Sequence, residues 1–380
     1  MEASREIDIE GLAARISGLP GFEELRAAAV DAADAYVVGG AVRDALLGSA
    51  RADLDVVVEG DPEPIARALG GELRAHDRFG TFVVELPTTR IDLARSRAET
   101  YAHPGALPEV SPAPIEADLR RRDFSLNAVA VAVDDPGRPI DPLGGVADLG
   151  AGLLRALHER SFADDPTRAL RGARYASRLG LAVEPQTLSW LRATDLATVS
   201  ADRVDAELRR LAREPRPAEA FGLLAEWGLM TLPENAAERI TAIAALARSP
   251  RWGELVAVED AVLAAATGPP SPVAIRLAAL EPASASEVVE AGRGVDPRDL
   301  VLARVLGAAW LDGYVDGLRD VALEISGDDL TAAGIPEGPA VGRGLRAALR
   351  AKLDGEAPDR AAELTVALDE ARAGQSPAAD

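Results

Sequence analysis

Residues 36–60, YVVGGAVRDALLGSARADLDVVVEG, restrict the fold of this chain more than any other stretch. A valine-rich run from Tyr36 to Val38 meets Gly39-Gly40, a helical pattern follows at once, and a second valine-rich run begins at Asp53. The reading is strand, glycine turn, short helix, strand. β-Branched residues favour a pleated surface, and glycine allows the backbone to pass close to another group.

The second strand carries Asp53-Leu54-Asp55. Residues i and i+2 on a strand point to one face, so the two carboxylates share a side. Such a pair repels, and one member tends toward protonation unless a cation lies between them. A third carboxylate, Asp92, lies in TTRIDLAR, which the Pro87-Thr88 turn is expected to lay antiparallel to GTFVVEL. Three acids on neighbouring strands suit two divalent cations, one activating an attacking hydroxyl and the other neutralising a triphosphate. Gly39 and Gly40 would let backbone N–H groups approach a phosphate, and the fork of Arg43 could grip it. Taken alone, Gly-Gly before a helix is equally a plain turn, and no GK[ST] follows to make a Walker loop.

Organisation changes near residue 150. Before it, AYVVGG, DLDVVVEG, GTFVVEL and TRIDLAR read as strands between the helical AVRDALLG and PEPIARALG. NAVAVAV, Asn127 to Val133, fits a strand or a helix. After it, PTRALRGARYASRLG, ADRVDAELRRLARE, PAEAFGLLAEWGLM and AERITAIAALAR read as amphipathic helices, with a frayed tail at GQSPAAD. The expected fold is α+β, with a mixed-sheet head over 1–150, a helical neck over 151–220 and an all-α body and tail over 221–380. Segment 95–117 reads as a long Pro-rich loop.

The net charge of −21 excludes a basic nucleic-acid-coating protein. Residues 151–220 nevertheless hold 12 arginines against 10 carboxylates, so any RNA contact is expected there. Lys352 is the only lysine. Cysteine is absent, which excludes thiolate nucleophiles and Cys-based metal sites, and three histidines cannot build a His-rich cage. The acidic N-terminus and the lack of a long apolar run point to a soluble, cytoplasmic protein.

GGAVRDALLG followed by DLD resembles the signature of class II nucleotidyltransferases of the polymerase-β-like superfamily. That group comprises tRNA CCA-adding enzymes, their CC- and A-adding specialists, and bacterial poly(A) polymerases. RRDFSLNA (Arg121 to Ala128) resembles its ribose-recognition motif, IDPLGGVADLGAGLLR its hinge region, and SFADDPTRALRGARYASRLGL its amino-acid template helix. ISGDDLTAAGIPEGPAVGRGL is similar to a segment near the C-terminus of these enzymes.

The resemblance implies a polymerase-β-like head in which Asp53 and Asp55 hold two Mg²⁺ ions; Asp92, read from its strand, is expected to be the third catalytic carboxylate. It implies that Gly39, Gly40, Arg43 and Asp44 shape the triphosphate site, and that Arg122, Asp123 and Asn127 lie near the ribose. Asp165 and Arg168 would then read the Watson–Crick edge of the incoming base. Many relatives carry Glu-Asp where this chain has Asp164-Asp165. The chemistry of the pair agrees: a carboxylate accepts and a guanidinium donates, which suits cytosine and adenine and clashes with uracil and guanine. Asp165-Pro166 is also a plain helix cap and first-turn proline. Arg171, Arg174 and Arg178 continue one stripe of that helix and are expected to contact RNA, the alternative being a solvated face.

The activity implied is addition of C and A to tRNA 3′ ends from CTP and ATP, with release of pyrophosphate. The partners are the tRNA acceptor end and nucleoside triphosphates, with neither DNA nor a membrane. Alternatives are an A-adding enzyme acting on tRNA ending in CC, or a poly(A) polymerase. A catalytically silent RNA-binding protein is the alternative of a different class.

Overall fold

A computed structural model describes residues 7–30, 34–49, 54–76 and 80–373. The chain divides into two compact units, Met1–Thr231 and Leu232–Asp380.

The first unit begins with α1 (Leu12–Ser17) and α2 (Phe22–Ala29), then β1 (Ala35–Val38), α3 (Gly40–Leu46), β2 (Leu54–Val58) and α4 (Glu63–Ala68). Strands β3 (Glu72–His76), β4 (Thr81–Glu85) and β5 (Arg90–Arg95) follow. Next come β6 (Arg97–Thr100), β7 (Glu109–Pro112), α5 (Ile115–Arg120), β8 (Ala130–Ala132) and β9 (Pro139–Ile140). Among the described residues, seven strands form one sheet in the order β3-β4-β5-β2-β1-β8-β9. Only β2 and β5 run parallel within it.

The expected hairpin between GTFVVEL and TRIDLAR is present, closed by a 2.8 Å bond from Leu86 N–H to the Thr89 carbonyl. NAVAVAV resolves as a 3₁₀ turn over Ser125–Asn127 followed by β8. Segment 95–117 is not a structureless loop. Arg97–Thr100 pairs antiparallel with Glu109–Pro112, so the segment is a two-stranded ribbon with its tip at 101–108. The prolines at 104 and 108 fall in the tip, and Pro112 ends the second strand, where a missing N–H costs least.

Val38, Val57, Leu119 and Ile115 form a buried cluster between the sheet and α5. By the pleat, Val57 shares its face with Asp55, so one sheet face is apolar at one end and carries carboxylate at the other.

The rest of this unit is mostly helical: α6 (Gly145–Gly150), α7 (Ser161–Asp164), α8 (Thr167–Leu179), α9 (Pro185–Arg192), α10 (Ala201–Ala212) and α11 (Pro217–Glu226). Ala169, Leu170, Gly172, Ala173 and Ala176 bury one side of α8, on which both α10 and α11 pack. Ala220, Phe221 and Leu224 of α11 are fully buried, and the boundary between units falls at Thr231, beyond the expected end of the neck at 220.

Among its described residues the second unit is helical throughout, from Ala236–Leu246 to Arg360–Ala373. Arg304 grips Asp312 through two bonds of 2.8 Å, and Trp252 Nε1 donates to the same carboxylate at 3.2 Å. Near the C-terminus, helices Pro339–Leu353 and Arg360–Ala373 pack as a hairpin, and a β-carbon on Gly344 would overlap the Ala367 carbonyl oxygen. The carboxylate of Glu363 is fully buried there, accepting from Lys352 Nζ at 2.6 Å and from Glu324 N–H at 2.8 Å. Among the described residues, no helix is long and apolar enough to cross a membrane.

Gly145 opens α6 directly against the turn that carries Asn127, where a β-carbon would overlap the Ser125 carbonyl oxygen. Gly145→Ala should therefore cost about 1–3 kcal/mol in urea unfolding, the range for overpacking. Gly222→Ala in α11 meets nothing within 4 Å among the described residues and should be neutral or stabilising by up to about 1 kcal/mol.

Candidate active site

β1 delivers the chain to Gly39, whose φ of 67° and ψ of −125° suit only glycine. A β-carbon at this position would lie 3.2 Å from Arg122 Nη1 and 3.9 Å from Asp55 Oδ2, so the glycine turn runs against the acidic strand itself. The parallel pairing of β2 with β5 sets Asp55 opposite Asp92 in register, with both carboxylates on one sheet face. Arg90 Nε and Nη2 hold the Asp92 carboxylate at 2.8 and 2.9 Å, which partly neutralises it. Asp53 lies outside the described residues.

From α3 a chain of polar contacts crosses the unit. Arg43 is buried, donating through Nε and Nη2 to Asp44 Oδ1 at 2.8 and 2.7 Å and through Nη1 to Asn127 Oδ1 at 2.8 Å. Asn127 Nδ2 donates to Asp123 Oδ1 at 3.0 Å, and Asp123 Oδ2 accepts from Arg171 Nε at 3.1 Å. Arg171 Nη2 reaches Asp165 Oδ2 at 3.5 Å, while Asp165 Oδ1 accepts from Arg203 Nη2 at 3.0 Å. Each arginine spans two polar partners, a geometry that a planar guanidinium fork allows and an ammonium does not.

Asp165 also caps α8, accepting from Thr167 N–H at 3.1 Å and Thr167 Oγ1 at 2.6 Å. The capping role and a place in the site therefore coexist. Arg168 is turned inward, donating from Nη1 to Ser161 Oγ at 3.0 Å and from Nη2 to the Arg121 carbonyl at 2.6 Å. Its Nε is buried without a partner among the described residues. Arg174 and Arg178 approach Glu214 at 3.8 and 3.9 Å. The arginine stripe of α8 thus faces inward, toward the head.

Most of these residues converge on one cavity of about 800 Å³. Gly39, Gly40, Arg43 and Asp44 line it beside Asp55 and Asp92, together with Arg122, Asp123 and Asn127. Asp165, Arg168, Arg171, Arg174 and Arg178 line the same space. The arrangement can surround a polyanion with guanidinium groups while offering carboxylate oxygen for a cation. Asp55 and Asp92 are hard oxygen donors of the kind magnesium prefers. No set of three acidic or histidine side chains poised for a metal occurs among the described residues.

Burial would raise the carboxyl of Asp123, but Arg171, the Asn127 amide and Arg168 more than reverse this and hold it below the usual range. Asp165 behaves alike: burial is opposed by Arg171, Thr167 and Arg203, and its carboxyl is also lowered. Both are carboxylates at neutral pH.

Several residues of the site escape sequence reasoning. Asp118, wholly buried, accepts from Arg121 Nη2 at 2.6 Å, Arg122 Nη2 at 3.1 Å and Arg97 N–H at 3.2 Å, and so aims the arginine cluster. Arg203 arrives from α10 and also donates to the Gly105 carbonyl at the ribbon tip at 3.2 Å. Tyr101 Oη donates to Glu99 at 2.8 Å, and burial, with Glu99 beside it, pushes this phenol up to about 12. Asp148 accepts from Ser125 Oγ at 2.6 Å beneath the Asn127 turn. A buried acid beside basic residues is the only local signal, and Asp118 before Arg120-Arg121-Arg122 carries it.

A carboxyl with a lowered folded value stabilises the fold fully above its unfolded value, about pH 4, and loses that contribution as pH falls through the folded value. Wild type should therefore weaken in urea unfolding between pH 5 and pH 2 (about the range of carboxylate protonation). Asp123→Asn/Asp165→Asn should start less stable at pH 7 and show a flatter slope across that range.

Residues 35–155 match the family model described as the poly A polymerase head domain. The chain is 42% identical over 202 residues to an A-adding tRNA nucleotidyltransferase of Halalkalibacterium halodurans, covering 50% of this chain but only 47% of that relative. It is 35% identical over 323 residues to a CC-adding tRNA nucleotidyltransferase of Deinococcus radiodurans, covering 81% and 82% of the two chains. Among solved structures, an apo CCA-adding enzyme is similar with a TM-score of 0.79 at 26% identity, over 97% of this chain and 100% of the other. A Thermotoga maritima CCA-adding enzyme complexed with tRNA has a TM-score of 0.72 at 26% identity, over 97% and 99%. With a head-domain match and a relative aligned along four-fifths of both chains, this chain belongs to the tRNA nucleotidyltransferase family of enzymes.

Proposed function

We propose that this protein completes tRNA 3′ ends, adding C and A from CTP and ATP and releasing pyrophosphate. The observation that carries the reading is the single cavity that joins the carboxylates of β2 and β5 to the Asp165–Arg168 end of α8. A catalytic centre and a selector for the base thereby face the same nucleotide. The similarity to CCA-adding enzymes along nearly the whole chain supports full CCA addition. A second reading, addition of A alone, draws on the 42% identity to an A-adding enzyme.

In the proposed reaction the 3′ hydroxyl of the RNA attacks the α-phosphate, a new phosphodiester forms, and the bond to the β-phosphate breaks. Mg²⁺ held by Asp53 and Asp55, with Asp92 adjacent, would lower the pKa of the hydroxyl and offset the charge of the leaving pyrophosphate. Gly39 and Gly40 give the triphosphate close access to the backbone. Arg43 and Asp44 wall that end of the cavity, and Arg122, Asp123 and Asn127 flank the sugar. Asp165 accepts from the exocyclic amino group shared by cytosine and adenine, and Arg168 donates to the neighbouring ring nitrogen. For this Arg168 must exchange its bonds to Ser161 and the Arg121 carbonyl for bonds to the base. Arg171, Arg174 and Arg178 extend the cationic wall toward the RNA strand.

Asp55→Ala should lower nucleotide incorporation by about three orders of magnitude or more while tRNA affinity stays within about twofold. Retained incorporation would defeat the metal assignment. The choice among specificities is read with tRNAs ending at the discriminator base, at C and at CC, each given CTP or ATP alone. CCA addition predicts C incorporation on the first two and A incorporation on the third. An A-only enzyme uses the third alone, and a CC-adding enzyme never incorporates A.

A further inference from the structure

We propose that Tyr175 is a positioning residue of the nucleotide cleft, its ring holding the guanidinium groups of Arg43 and Arg174 in place by cation–π attraction. The proposal rests on reading the cavity as a nucleotide site. Arg43 Cζ lies 5.5 Å from the centroid of the Tyr175 ring and Arg174 Cζ lies 4.9 Å from it, both within the range of this interaction. One arginine comes from α3, after the glycine turn, and the other from α8. Two cations that share a ring repel one another, so what holds them must be stiff and must carry negative potential.

The ring meets both needs. Phe124, itself fully buried, meets it edge-on at 6.0 Å and 83°, and Phe162 backs Phe124 at 6.2 Å. Gly172 leaves the room that Phe124 occupies, since a β-carbon there would come within 3.0 Å of Phe124 Cζ.

The two arginines depend on the ring unequally. Arg43 is already fixed by Asp44 and Asn127. Arg174 has weaker ties: Glu214 at 3.8 Å, a 3.4 Å bond from Nη2 to Tyr175 Oη, and a buried Nε with no partner among the described residues. The face of Tyr175 is therefore the firmest contact Arg174 has. Loss of the ring's negative face should cost nucleotide affinity mainly through Arg174.

The test keeps the shape of the ring and changes its potential. Tyr175 is replaced by Phe, by mono-, di- and trifluorinated phenylalanine, and by Leu in the full-length protein. CTP and ATP dissociation constants are measured by equilibrium titration with magnesium, alongside thermal unfolding. Tyr175→Phe should bind within about twofold of wild type, and affinity should then fall stepwise with fluorination by about tenfold in all, at constant melting temperature. Tyr175→Leu should match or exceed the trifluorinated loss. A flat fluorine series, or a full loss already in Tyr175→Phe, would overturn the proposal, the latter by assigning the effect to the hydroxyl. If the unsubstituted protein bound neither nucleotide, the nucleotide-site reading itself would fail and take the proposal with it.

Discussion

Asp123 is a carboxylate almost out of reach of water, and the cleft is organised around keeping it charged. Removing an ion from water costs several kcal/mol unless partners of opposite charge and matched geometry replace the solvent. Arg171 supplies the charge, and the Asn127 amide and the Phe124 N–H supply hydrogen bonds to the remaining lone pairs. Because Arg171 belongs to α8 and Asn127 to the turn before β8, satisfying one carboxylate fixes the helix against the sheet. Loss of either partner would leave a buried charge unpaired, which is much costlier than the loss of an exposed pair.

The same logic favours arginine over lysine within the cleft. Arg43, Arg171 and Arg203 each contact two acceptors at once, and a planar fork does this with little further entropy loss. A chain of −21 can hold so many inward arginines because carboxylates and carbonyls absorb most of their donors. The excess of arginine over acid in residues 151–220 is therefore not a basic coat. Its helix α8 members line a cavity wall, where a polyanion meets them only by entering the cleft.

What could be read directly from the chain was local. The valine runs, the glycine turn, the i, i+2 carboxylates and the three-four spacing of the α8 arginines each depend on residues a few positions apart. Resemblance then brought Asp123, Asn127, Asp165 and Arg168 into one site, which spacing alone could not do. Pairings across long stretches stayed hidden. The register of Asp55 with Asp92 depends on a parallel pairing that spans a hairpin and a helix. Arg203 has no motif to mark it, since its value comes from Asp165, 38 residues earlier. The ribbon over 97–112 was obscured by prolines that suggest loop, because only pairing shows that they fall at its tip and end. Arg168 pointing at Ser161 and the Arg121 carbonyl could not be foreseen either, as a motif specifies a residue and not its rotamer.

Lys352, in the second unit, has a different significance. Being the only lysine, it gives a lysine-specific protease a single peptide bond to cut, Lys352–Leu353, in the last turn of the helix Pro339–Leu353. Its ammonium is held by the buried Glu363 and the bond is helical, so cleavage requires the C-terminal hairpin to open. The rate of that one cut reports how often the hairpin unfolds, without any label added to the protein.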